Sequence, residues 1–127
     1  MPVRKYHGES HGLTAAIYWG DALAVLRDHI APGSIDLIVA DPPYNIGKQF
    51  GATRDRWPDE PSYVAWCHAW LELCVSRLAP HGSLYLMAST QGMPHLDLFL
   101  RERLHVLSRI VWHYDSSGVQ ARRRFGS

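Results

Sequence analysis

The apolar run Ile35-Asp36-Leu37-Ile38-Val39-Ala40, broken off by Asp41-Pro42-Pro43-Tyr44-Asn45-Ile46-Gly47, constrains this chain more than any other stretch. The run is β-branched and aliphatic enough for a buried strand of a parallel sheet. The two prolines that follow have fixed φ and no backbone donor, so the ladder stops and a stiff turn begins. In an open α/β sheet the crevice beyond the carboxyl ends of the strands is where ligands bind, because the loops there carry no ladder hydrogen bonds. The motif therefore stands where chemistry is expected.

A stiff Pro-Pro turn presents carbonyl oxygens with no competing N–H beside them, and Asp41 adds a carboxylate to the same group of acceptors. Such a cluster suits a substrate amino group. A conjugated amine is a poor nucleophile until its hydrogens are held and its lone pair is turned toward an electrophile. Tyr44 adds a flat face on which a planar base could stack.

Around this centre the pattern alternates between strands and helices. Residues 1–13 are polar and read as a loose terminal tail. Thr14 to Trp19 is a short strand candidate; Asp21 follows as the N-cap of a helix with Leu23, Val25, Leu26 and Ile30 on its apolar face, ended by Pro32-Gly33-Ser34. Lys48 to Glu60 is too polar for an element and has the length of an active-site loop, with Trp57 either packing it down or standing beside the substrate. Pro61 to Pro80 is the clearest helix, with Tyr63, Trp66, Cys67, Trp70, Leu71, Cys74 and Leu78 on one broad face, which reads as core. His81-Gly82 closes it, Ser83 to Ala88 is a second buried strand, Gln91 to Leu104 a helix, and Val106 to Tyr114 a last strand. The basic run Arg122-Arg123-Arg124 reads as a solvated face or, beside a nucleotide pocket, as a phosphate contact. This order predicts an α/β fold with a doubly wound sheet.

Composition adds exclusions. With 46% hydrophobic and 20% charged residues the chain is expected to fold, and a net charge of +1 argues neither for nor against nucleic acid. No apolar run is long enough to cross a bilayer and no signal-peptide pattern opens the chain, so a cytoplasmic protein is expected, with no membrane partner. The two cysteines, Cys67 and Cys74, read as buried thiols, and no metal site is expected.

Asp41-Pro42-Pro43-Tyr44, preceded by Gly20-Asp21-Ala22-Leu23 and followed by Trp57, Tyr63, Trp66 and Gly82-Ser83-Leu84-Tyr85, resembles the N-terminal half of the β-class DNA amino-methyltransferases. The stretch from Arg109 to Ala121, Arg-Ile-Val-Trp-His-Tyr-Asp-Ser-Ser-Gly-Val-Gln-Ala, is similar to the small stand-alone adenine-specific enzymes of enterobacterial type. The resemblance covers nearly everything after about Ala15. It implies a mostly parallel, partial Rossmann-like fold dependent on S-adenosylmethionine, with 14–127 as the catalytic-motif part. It also implies site-specific transfer of a methyl group to the N6 amino group of an adenine flipped out of double-stranded DNA. Asp41, Pro42, Pro43 and Tyr44 would be catalytic, Asp21 and Asp41 would lie against the cofactor, and Lys48, Ser117, Gly118, Arg122, Arg123 and Arg124 would contact DNA. Asp at the first motif position favours adenine over N4-cytosine methylation, whose enzymes more often carry Ser there.

The family also carries a Phe-x-Gly-x-Gly turn for the methyl donor in its C-terminal half, and no Gly-x-Gly occurs in this sequence. The cofactor-binding part is therefore expected to be missing, leaving sheet edges and apolar faces open. Two alternatives stay open, an inactive truncated remnant and a split subunit that needs a partner chain for the cofactor site, with N4-cytosine methylation a lesser one; a homodimer or a complementing C-terminal half are the partners expected besides DNA.

Overall fold

The computed structural model of the chain describes residues 2–113. In chain order the elements are strands β1 (Arg4–Ser10) and β2 (Leu13–Trp19), helix α1 (Ala22–His29), strands β3 (Ile35–Ala40), β4 (Gln49–Phe50) and β5 (Thr53–Arg54), helix α2 (Glu60–Arg77), strand β6 (Leu78–Leu86) and helix α3 (Met93–Arg101). The centre is α2. Asp59 caps it by accepting from the Ser62 amide at 2.8 Å, and Pro61 sits in the first turn, where a missing N–H costs nothing.

The apolar face of α2 supplies most of the core: Tyr63, Cys67, Trp70, Leu71 and Cys74 are buried together with Leu96 of α3. Leu23 and Leu26 of α1, Ile38 and Ala40 of β3, and Leu84 and Leu86 of β6 pack against this cluster. The core thus joins all three helices to one face of the β3–β6 pair. Arg77, at the end of α2, donates from Nε to the Leu26 carbonyl at 2.7 Å and from Nη2 to that of Arg27 at 3.3 Å, which takes up last-turn carbonyls of α1 and ties the two helices together. Both thiols are buried and unpaired, and burial pushes them up, Cys74 to about 11.

Strands β3 and β6 run parallel, from Leu37 opposite Ser83 to Ala40 opposite Leu86, with α2 as the crossover. The register slips between Ile35 and Leu37, and Gly82 stands at that bulge: a Cβ there would lie 2.8 Å from the Ile35 carbonyl oxygen and 3.0 Å from that of Ala79. Only glycine fits so close an approach of backbones. Side chains alternate across the pair, so Leu37, Val39 and Tyr85 turn away from the core and are 56, 63 and 56% exposed.

Several sequence expectations change here. Residues 4–10 are not a loose tail but β1, paired antiparallel with β2 through a two-residue turn in which His11 (φ 51°) and Gly12 (φ 75°) both take left-handed backbone. Strand β2 pairs with β1 alone, so among the described residues the parallel sheet has two strands, accompanied by two separate antiparallel hairpins, β1–β2 and β4–β5. The architecture is mixed α/β with a parallel pair. Helix α2 stops at Arg77, and residues 78–80 already belong to β6; the closure placed at His81-Gly82 is instead the strand bulge. Residues 106–113 form no strand: Leu107, Ile110, Val111 and Trp112 are exposed and pair with no strand among the described residues, while Tyr114, the expected end of that strand, lies outside them. Among the described residues no helix is long and apolar enough to cross a membrane.

Candidate active site

The motif begins where β3 ends. The Ala40 carbonyl takes the last ladder bond, from the Met87 amide at 2.9 Å, and Asp41 emerges exposed at the carboxyl end of the parallel pair. The turn then folds Tyr44 back so that its hydroxyl donates to Asp41 Oδ1 at 2.5 Å. That hydrogen bond, helped by partial burial and the carboxylate charge, pushes the Tyr44 phenol up to about 12. The catalytic candidates Asp41 and Tyr44 are thus in direct contact, with one carboxylate oxygen engaged.

Both flanks of the turn are anchored. From α2, the Tyr63 hydroxyl donates to the Pro43 carbonyl at 2.9 Å; its ring is 2% exposed, and burial is the main cause that raises its phenol. Downstream, Asn45 adopts φ 59°, a conformation that Asn tolerates better than most residues, and its Oδ1 accepts from the Trp57 amide at 3.0 Å. Trp57 packs on Tyr63 and Trp66 with ring centroids 5.0 and 4.8 Å away. Of the two readings of Trp57, packing the loop down is the one the geometry supports.

The loop between them is closed by Asp55, which is 5% exposed. Its carboxylate accepts from the Ile46 amide at 3.5 Å and from the Lys48 amide, while its backbone exchanges two bonds with Gly47 and Lys48, each at 3.0 Å. Buried carboxylates need such donors, and backbone amides supply them here. Sequence reading missed Asp55, since an acidic residue in a polar loop carries no local signal of burial. It also passed over β4 and β5, a short hairpin that carries Lys48 at its base together with exposed Arg54 and Arg56. Lys48 Nζ lies 5.4 Å from the Phe50 ring.

Beside the motif, Tyr44, Asn45, Glu60, Tyr63, Val64, Ser89, Gln91, Gly92 and His95 line a cavity of about 30 Å³, and His95 Nε2 meets Glu60 Oε1 at 3.0 Å across its rim. It has room for water rather than for a base. Asp21 caps α1 through the Leu23 amide at 3.2 Å, and among the described residues no hydrogen bond joins it to the motif. Ser117, Gly118, Arg122, Arg123 and Arg124 lie outside the described residues. No His-x-x-x-His pair was expected, yet His7 and His11 have that spacing; with His7 on strand β1 and His11 in the turn after it, the helical spacing does not make a site. Among the described residues no group of three or more His, Cys, Asp or Glu gathers.

The family model for DNA methylases acting at N6 or N4 matches residues 35–127, starting at the first residue of β3. This chain belongs to the DNA methylase family. It is 47% identical over 111 residues to the DNA adenine methyltransferase YhdJ of Escherichia coli, a match covering 87% of this chain and 37% of the relative. Against the type II methyltransferase M.HpaI of Haemophilus parainfluenzae identity is 35% over 96 residues, 74% of this chain and 30% of the relative. Against M.BglII of Bacillus subtilis it is 35% over 119 residues, 86% of this chain and 31% of the relative. The chain therefore spans about a third of the length of these methylases. The matched stretch takes in β3, the motif turn, its anchored loop and α2, which together form the site described above.

Proposed function

We propose that this chain is the catalytic-motif part of a DNA adenine N6-methyltransferase built on a doubly wound, Rossmann-like sheet. The observation that carries the reading is the stiff turn at the carboxyl end of β3, where the Asp41 carboxylate and the Tyr44 side chain are in direct contact. An adenine flipped from the duplex would stack on Tyr44, and its amino group would donate one hydrogen to Asp41 and the other to the Pro42 carbonyl. Held this way, the lone pair on nitrogen turns out of the ring plane toward the incoming methyl carbon. S-adenosylmethionine, when bound, supplies that electrophilic methyl group.

Asp21 suits the adenosine part of the donor: one of its oxygens holds the Leu23 amide and the other has no partner among the described residues, a free acceptor of the kind a ribose hydroxyl requires. Lys48, joined by Arg54 and Arg56 on the same hairpin and by Ser117, Gly118 and the Arg122–Arg124 run, would meet phosphates. A second reading, an assembly in which another segment or chain completes the cofactor site, is favoured by the exposed apolar face at Leu37, Val39 and Tyr85.

The test incubates the protein with duplex DNA and labelled S-adenosylmethionine, alone and with the C-terminal half of a relative, and identifies the methylated base. N6-methyladenine formed by wild type and reduced at least about 100-fold in Asp41→Ala supports the reading, since loss of one preorganised hydrogen-bonding group costs about that much. N4-methylcytosine would overturn the choice of base. Activity only with the added half would favour the assembly.

A further inference from the structure

Three acceptors follow one another directly after β3: the Asp41 carboxylate and the carbonyls of Pro42 and Pro43. Their availability differs. The Pro43 carbonyl is already taken by the Tyr63 hydroxyl at 2.9 Å, across 20 residues of sequence and from a ring buried to 2% exposure. Among the described residues nothing donates to the Pro42 carbonyl. In a proline the ring fixes φ, so ψ is the one soft backbone torsion left at Pro43. That torsion sets both where the Pro43 carbonyl points and where Tyr44 begins. A hydrogen bond on the carbonyl from a buried, packed side chain therefore locks the direction in which Tyr44 leaves the turn. The lock is firm because the Tyr63 ring is itself held edge-on by Trp57, whose amide is bound to Asn45 on the far side of the motif.

We propose that Tyr63 is a positioning residue for amine recognition: by engaging the Pro43 carbonyl it sets the turn so that Asp41 and the Pro42 carbonyl alone receive the two hydrogens of the substrate amine. The inference rests on the adenine reading above and goes beyond it by assigning selectivity for the amine to a helix residue outside the motif. Tyr63 touches no reacting atom. Its hydroxyl acts through the backbone of Pro43.

The test compares binding to two duplexes that differ in one group. One carries a single unpaired adenine and the other carries purine, which lacks the amino group, at the same place; an unpaired base is the easiest to extrude. Wild type is expected to prefer adenine. In Tyr63→Phe, which keeps the ring on Trp57, the preference should fall at least threefold while affinity for the purine duplex stays as in wild type. Asp41→Ala serves as the reference and should abolish the preference. If Tyr63→Phe keeps the preference that Asp41→Ala loses, the positioning role is wrong and the adenine reading stands. If both affinities of Tyr63→Phe fall together, or the variant is unfolded by circular dichroism, Tyr63 serves the fold only and the inference is overturned. A wild-type protein without any preference would overturn the adenine reading and this inference with it.

Discussion

The two faces of the β3–β6 pair are made from the same two strands and could hardly differ more. On one, Ile38, Ala40, Leu84 and Leu86 lie against the α2 core; on the other, Leu37, Val39 and Tyr85 are apolar and more than half exposed. The packed face carries the whole organisation of the motif, because Tyr63, Trp57 and Asp55 reach the turn from that side or from its own loop. The open face contributes apolar surface and no described contact. Site geometry in this chain is thus a property of half a sheet, and the other half offers surface for association.

That contrast can be broken most directly at Leu71, which is fully buried on the packed side. Leu71→Ala is expected to lose about 2–5 kcal/mol, read as a lower urea midpoint with little change in slope. A smaller and more local effect is expected at the motif. Tyr44, held by Asp41, titrates at about 12 against an ordinary value of 10.0. Because its folded value is raised, the stabilisation is fully present below pH 10, where phenols are protonated in both states, and is lost as the pH climbs through about 12. NMR of the ring ζ carbon should show Asp41→Asn moving this titration down toward the ordinary value. Smallest of all is Val39→Thr on the open face, expected to change stability by no more than about 0.5 kcal/mol while lowering self-association in sedimentation at high protein concentration. A loss there as large as that of Leu71→Ala would mean that the two faces are equally covered.

The sequence makes the packed face legible because its signals are local. An aliphatic run stopped by Pro42-Pro43, apolar spacing along α2 and an Asp ahead of α1 each specify their element without help from distant residues. What it hides depends on partners. Arg4–Ser10 has no strand pattern of its own and becomes one by pairing with β2; the clue was the His11-Gly12 step between two segments of equal length. Val106 to Tyr114 has the pattern, yet its described residues form no strand, since β propensity reflects packing against neighbours more than an intrinsic backbone preference. The motif was read from four residues, but the hydrogen-bond partners that set its shape come from residues 55, 57 and 63, whose types carry no mark of that role.

The way Asp55 closes its loop has a consequence for how such a protein can vary. Asn45, Asp55 and Trp57 tie off the loop at its base, and the polar contacts beyond it, Gln49 to the Gly51 carbonyl and Thr53 to that of Phe50, stay within the hairpin. The tip from Gln49 to Arg54 is therefore expected to tolerate changes of length and charge, with the knot at its base leaving Tyr44 where it is.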